Sequence, residues 1–258
     1  MSKIKNAFDH GKAFVAFLSA GDPSVEKTIE YVLEMEKAGA DLIEIGIPFS
    51  DPIADGPVIQ AANLRAFAAG ISLEKIFDMV TEIRKQTQIP IVFLTYLNPV
   101  FHYGYEAFME RCAQCGVDGM IIPDLPIEEK KEVSEVATKY DVDIISMIAP
   151  TSMSRIQQIA QDASGFIYVV SSMGITGMRN EIETDLSSII AAIREVTDVP
   201  TAIGFGINTP QQAKDMAAYA DGAIVGSAIV KIIEEHGENA AKPLYDYVKS
   251  MKEAIEIN

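Results

Sequence analysis

Short apolar runs alternate with amphipathic stretches along the whole chain. Eight of the runs read as strands: Ala13 to Leu18, a run opening at Leu42, Ile91 to Tyr96, Gly119 to Ile122, Asp143 to Ile148, Phe166 to Val170, Thr201 to Gly204 and Gly222 to Val225. Near-continuous apolarity over so few residues marks strands buried on both faces. Between them, Ser72 to Gln86, Ile127 to Lys139 and Thr184 to Val196 carry helical patterning. Val25, Ile29, Val32 and Leu33 trace another apolar stripe, which ends at Gly39. Asp22 as N-cap with Pro23 at the first helical position predicts where that helix begins. A short amphipathic segment at the N-terminus predicts a short helix, and Ala228 to Ile233 predicts an extra helix after the eighth strand.

Strands alternating with helices imply a parallel sheet, and eight is the number at which such a sheet closes. The expected fold class is therefore α/β, a (β/α)8 TIM barrel, with residues 1–258 forming a single domain because no linker or low-complexity segment interrupts the pattern. An open doubly wound sheet is the alternative, since periodicity does not report closure. In a barrel, Glu44, Asp55, Tyr96, Asp124 and Tyr168 would lie at or beyond strand ends leading into the βα loops, where barrel enzymes place their chemistry.

Composition narrows the function classes. With 258 residues, 48% of them hydrophobic, the chain can bury a large core. A formal net charge of −16 without a basic stripe argues against nucleic acid. No apolar run approaches the roughly 20 residues that span a bilayer, and the N-terminus lacks a signal-peptide core, so a cytoplasmic protein without membrane contact is expected. The two cysteines, Cys112 and Cys115, form a C-x-x-C. Together with Tyr105 and Phe108 they fall on one face of a helix that stops at Gly116, which points to core packing; a redox pair would open a helix, and zinc would need two further ligands. His10, His102 and His236 are scattered and carry no assigned role.

The informative stretch runs from Leu42 to Pro57, LIEIGIPFSDPIADGP. Side chains alternate along a strand, so Leu42, Glu44 and Gly46 share one face while Ile43, Ile45 and Ile47 pack against helices on the other. A structural Glu44 would pair with a basic residue inside the barrel, yet none of the eight strands contains one. An unpaired, desolvated carboxylate has a raised pKa and can both give and take a proton near neutrality. The following loop, stiffened by Pro48, Pro52 and Pro57, holds Ser50, Asp51 and Asp55; an acid there is also a common turn residue. Asp124 lies between two prolines, and Tyr168 shares a face with Phe166 and Val170, where it could serve as filling.

Three glycine-rich junctions follow the last three strands: Gly174 to Gly177, Gly204-Phe205-Gly206 and Gly226-Ser227. Bare backbone N–H groups beside a helix N-terminus at this end of a barrel suit a phosphate. No strand lysine is present for a Schiff base, and no histidine or acid cluster for a metal, so proton transfer by carboxylates on a small phosphorylated molecule remains.

Phe17 to Pro23, Glu44 to Pro57, Tyr96 to Phe101, Gly174 to Gly177, Gly204 to Ile207 and Gly226 to Val230 occur in the order and spacing of the tryptophan synthase α subunit, and the chain resembles that family end to end. The resemblance implies retro-aldol cleavage of indole-3-glycerol phosphate to indole and glyceraldehyde 3-phosphate, a lyase reaction of tryptophan biosynthesis. It implies an α2β2 heterotetramer with a β subunit that carries pyridoxal phosphate and consumes the indole, with no cofactor or metal in this chain. By position, Glu44 matches the family's general acid/base and Asp55 the acid that binds the indole N–H. Gly177, Gly206, Gly226 and Ser227 match its phosphate site; Phe17, Leu94, Tyr96, Ile121, Tyr168 and Phe205 match residues lining or bordering the indole pocket. Ser172 departs from the arginine many relatives carry there. The loops Pro48 to Ala62 and Ser171 to Glu183 are expected to close over substrate and meet the partner. Alternatives are a phosphosugar isomerase or epimerase on the same barrel, a lyase that works without a partner, and a non-catalytic subunit.

Overall fold

The computed structural model describes residues 3–171 and 185–256. After a 3-10 turn at Lys3–Phe8 come β1 (Ala13–Ser19), α1 (Val25–Lys37), β2 (Leu42–Gly46), α2 (Pro57–Ala68), α3 (Leu73–Arg84) and β3 (Ile91–Leu94). The middle of the chain supplies α4 (Leu97–Tyr103), α5 (Tyr105–Cys115), β4 (Gly119–Ile121), α6 (Ile127–Lys139), β5 (Asp143–Ile148), α7 (Ile156–Gln161) and β6 (Ile167–Val170). It ends with α8 (Leu186–Arg194), β7 (Thr201–Gly204), α9 (Pro210–Ala217), β8 (Gly222–Val225), α10 (Ser227–His236) and α11 (Ala241–Glu256). The eight strands are parallel and pair in sequence order, with β8 returning to β1, so the sheet is a closed barrel and the open alternative is excluded. None of the helices described is long and apolar enough to cross a membrane.

Closure divides the apolar residues into two layers. Ile43, Ile45 and Ile47 pack outward with the helices, as the alternation predicts, while Val15, Leu42, Val92, Ile145, Phe166 and Ile224 fill the interior. The N-terminal 3-10 turn belongs to that interior: Ile4 is fully buried, and the Phe8 ring lies 5.7 Å from Phe166. At the other end of the barrel two glycines make room for aromatic rings. A Cβ on Gly46 would sit 2.7 Å from the Phe17 ring, and one on Gly204 would collide with the Tyr168 hydroxyl.

Several boundaries differ from the sequence expectation. Ser24, not Asp22, caps α1, its hydroxyl accepting from the Lys27 N–H at 3.2 Å. Asp22 is 1% exposed and instead pairs bidentately with Arg65 of α2, both contacts at 2.8 Å. Arg65 also reaches Glu234 of α10 at 3.1 Å. β3 stops at Leu94 rather than Tyr96, which caps α4. The segment expected to be loop as far as Ala62 is helical from Pro57, because proline at the first turn loses no hydrogen bond and its ring presets the helical φ. Glu44 and Tyr168 lie within their strands, not past them. Cys112 and Cys115 are buried thiols on α5, which ends at the left-handed Gly116; burial raises both pKa values, that of Cys115 to about 11.

The Arg65–Asp22 pair ties α2 to the turn after β1, and removing the cation strands a buried carboxylate. Arg65→Met is expected to lower stability by about 3 kcal/mol, read as a lower urea midpoint at unchanged slope. A midpoint equal to the wild type's would mean the tether contributes nothing.

Candidate active site

Glu44 is central to β2, with register neighbours Phe17 on β1 and Val92 on β3. It is 2% exposed, and its Oε2 has no hydrogen-bond partner among the described residues. Loss of hydration alone pushes its pKa up to about 8, so the protonated acid predominates at neutral pH. The Tyr168 hydroxyl is pushed well above its ordinary pKa, first by burial and then by the neighbouring charge of Glu44.

Asp55 reaches the same space from the loop before α2. Its Oδ1 accepts from the Tyr96 hydroxyl at 2.9 Å, and its Oδ2 accepts from the Asn63 amide at 3.3 Å. The Tyr96 oxygen in turn accepts from the Ala54 N–H at 2.9 Å, so one hydroxyl fixes both the carboxylate and the loop that carries it. Burial raises the Asp55 pKa, while the Tyr96 and Asn63 hydrogen bonds pull it back. The Tyr96 ring also packs against that of Phe49, their centroids 5.4 Å apart and their planes tilted by 36°.

Both carboxyls line one cavity. Phe17, Leu94, Tyr168 and Phe205 form apolar wall, and Gly206, Gly226 and Ser227 complete the lining. Gly226 caps α10 without a side-chain hydrogen bond, so among the described residues no cap side chain occupies the first-turn N–H groups, the kind of helix end that suits an anion. Of the expected residues, Tyr96 acts through Asp55 and is not part of the wall. Ile121 is fully buried in the interior layer and is likewise absent from the wall. Gly177, Ser172 and nearly all of the Ser171–Glu183 loop lie outside the described residues.

Sequence reasoning passed over Asn63 and the wall residues Ile59, Ile207 and Ile224. Asn63 was legible in principle: once Pro57 is taken as a helix start, position 63 falls two turns along α2 from the loop holding Asp55. Asp124 accepts from the Leu97 N–H at 2.9 Å and so anchors the start of α4. Asp51 hydrogen-bonds its neighbour Ser50 and is exposed. Among the described residues, no group of three or more His, Cys, Asp or Glu could hold a metal ion.

Glu44 carries a stability consequence. Its folded pKa of about 8 exceeds the ordinary 4.5, so between those values the unfolded chain releases a proton that the folded chain keeps. Stability then falls as pH rises through this window, by at most about 1.4 kcal/mol per pH unit. Glu44→Gln, which cannot ionise, is expected to melt higher than wild type at pH 8, with the advantage disappearing below about pH 4.5. Parallel melting curves across that range would show that Glu44 is not desolvated. Tyr96→Phe removes one donor to Asp55 and is expected to raise the Asp55 pKa, visible as an upward shift in the acid limb of a pH–rate profile.

The profile of the family described as "Tryptophan synthase alpha chain" matches residues 3–256. The protein of that name from Lacticaseibacillus casei is 53% identical over 256 residues, covering 99% of this chain and 96% of the relative. The one from Caldanaerobacter subterraneus is 46% identical, covering 99% and 100%. Among solved structures, tryptophan synthase subunit alpha from Legionella pneumophila superposes with a TM-score of 0.87 at 35% identity, covering 99% of this chain and 98% of that one. A chain from the tryptophan synthase α2β2 complex of Pyrococcus furiosus does so at 0.86 and 35%, covering 93% and 98%. With the closed barrel, the acid-lined cavity and these full-length matches in agreement, the chain belongs to the tryptophan synthase alpha chain family.

Proposed function

We propose that this chain cleaves indole-3-glycerol phosphate to indole and glyceraldehyde 3-phosphate, with Glu44 as general acid and base and Asp55 as the acid that holds the indole N–H. The observation that carries the reading is the Glu44 carboxyl, buried, without a cationic partner among the described residues, and facing the same cavity as Asp55. A neutral indole leaves its side chain poorly. Protonating C3 turns the ring into a leaving group and puts positive charge on the ring nitrogen. The protonated Glu44 delivers that proton, and its carboxylate then takes the hydroxyl proton on the adjacent glycerol carbon as the C3–carbon bond breaks and the aldehyde forms. One proton is given and one received, so Glu44 ends the cycle as it began. Asp55, whose charged form the Tyr96 and Asn63 hydrogen bonds favour, acts where the ring nitrogen becomes positive.

The phosphate belongs, in this reading, with Gly206, Gly226 and Ser227, and with Gly177, which lies outside the described residues. Phe17, Leu94, Tyr168 and Phe205 enclose the indole, with Tyr96 and Ile121 bordering it. The chain acts as one domain over residues 1–258 and needs no cofactor of its own. Pyridoxal phosphate is assigned to the β subunit of an α2β2 assembly, which uses the indole for tryptophan synthesis. Exposed apolar side chains support a partner at the cavity mouth: Ile53 in the loop after β2 is 76% exposed and Phe101 on α4 is 67% exposed. A phosphorylated substrate does not cross membranes unaided, which fits a cytoplasmic reaction.

Glu44→Gln is expected to lower kcat about 10²- to 10⁴-fold while glycerol 3-phosphate still binds, and Asp55→Asn to lower it about 10²-fold or more. Indole release from indole-3-glycerol phosphate, followed with and without added β subunit, is the measurement. Wild-type turnover in Glu44→Gln would remove that residue from the role, and turnover of ketose phosphates but not of the indole substrate would remove the reaction.

A further inference from the structure

Phe205 adopts φ +79° and Gly206 follows at φ +80°. The second value is ordinary for glycine, but the first is a conformation that a bulky side chain avoids and holds only where its surroundings impose it. The imposing contact comes from the end of β6. Ser171 is fully buried, its N–H donates to the Gly204 carbonyl at 3.0 Å, and its hydroxyl donates to the Phe205 carbonyl at 2.6 Å. On the other side of the turn the Asn208 amide donates to the Gly206 carbonyl at 2.9 Å, and the Asn208 carbonyl accepts from Tyr247 of α11 at 3.0 Å.

The Phe205 carbonyl and the Gly206 N–H belong to one peptide plane, and in a trans peptide they point in opposite directions. Anchoring the oxygen on Ser171 therefore aims the N–H away from Ser171. That N–H has no acceptor among the described residues, and Gly206 lines the cavity. Ser171 itself is not part of the lining.

We propose that Ser171 is a positioning residue for phosphate recognition: its hydroxyl locks the Phe205–Gly206 peptide so that the Gly206 N–H is presented to the phosphate of the substrate. The inference deepens the reading above and rests on its assignment of the phosphate to this end of the cavity. A hydroxyl that merely satisfied a buried carbonyl would, when lost, lower stability without distinguishing one ligand from another.

The test measures binding of glycerol 3-phosphate, glycerol and indole to the full chain by calorimetry, alongside KM and kcat in the presence of β subunit. Ser171→Ala is expected to weaken glycerol 3-phosphate about 3- to 10-fold and to raise KM for the phosphorylated substrate by a similar factor, with indole affinity unchanged. Ser171→Thr and Ser171→Val impose the same crowding in the buried position; the threonine should bind glycerol 3-phosphate more tightly than the valine, because only it keeps the hydroxyl. Equal binding by Ser171→Ala and wild type, equal loss of indole and phosphate ligands, or no difference between threonine and valine would each overturn the proposal. Failure of the wild type to prefer glycerol 3-phosphate over glycerol would instead overturn the phosphate assignment on which it rests.

Discussion

Closing eight short strands on themselves leaves each inward side chain facing other inward side chains or the N-terminal 3-10 turn. In this barrel the inward set is apolar apart from a few groups, and the strand that carries Glu44 has Phe17 and Val92 as its register neighbours. Neither can compensate a charge. The carboxyl therefore keeps its proton to a pH near 8, and the same constraint that makes it costly for stability suits it to proton exchange. Two glycines, at 46 and 204, are part of this arrangement, since they let Phe17 and Tyr168 lie across the barrel next to the acid.

The second acid is managed differently. Asp55 is also desolvated, yet it receives hydrogen bonds from Tyr96 and Asn63 that favour its charged form. Burial raises the pKa of both carboxyls in the cavity, but only Asp55 has hydrogen bonds that pull it back, so the two acids sit in different electrostatic surroundings. The loop holding Asp55 is fixed at both ends. The Tyr96 hydroxyl takes the Ala54 N–H on one side, and on the other Arg65 joins α2 to Asp22 and Glu234. Because Glu234 lies on α10, whose N-terminus borders the cavity, the acid loop and α10 are joined through one guanidinium.

Tyr168 shows how an aromatic on a strand face can be more than filling. Its hydroxyl lies close to Gly204, its ring meets Phe205 edge-on at 6.1 Å, and its pKa registers the charge of Glu44. It connects the wall around the acid to the strained turn at Phe205, so the apolar enclosure and that turn share a side chain.

The chain's periodicity was enough for eight strands, their parallel sense and the inward face of Glu44, because alternation along a strand is a local property that tertiary contacts do not alter. The absence of a basic residue from every strand was likewise legible, and it carried the argument for a raised pKa. Closure of the sheet was not, since a strand's own pattern is the same in an open or a closed sheet. Asp22 looked like a cap because its local sequence, Asp-Pro, is a cap signal; only the approach of Arg65, 43 residues away, made it an ion-pair partner. Tyr96 and Asn63 became ligands of Asp55 in the same way, through the docking of α2 and α4 around the barrel mouth. Ser171 carries no motif at all. Its hydrogen bond to Phe205 depends on the pairing of β6 with β7, which brings the residues just past the two strands together, and that approach leaves no trace in either strand's composition.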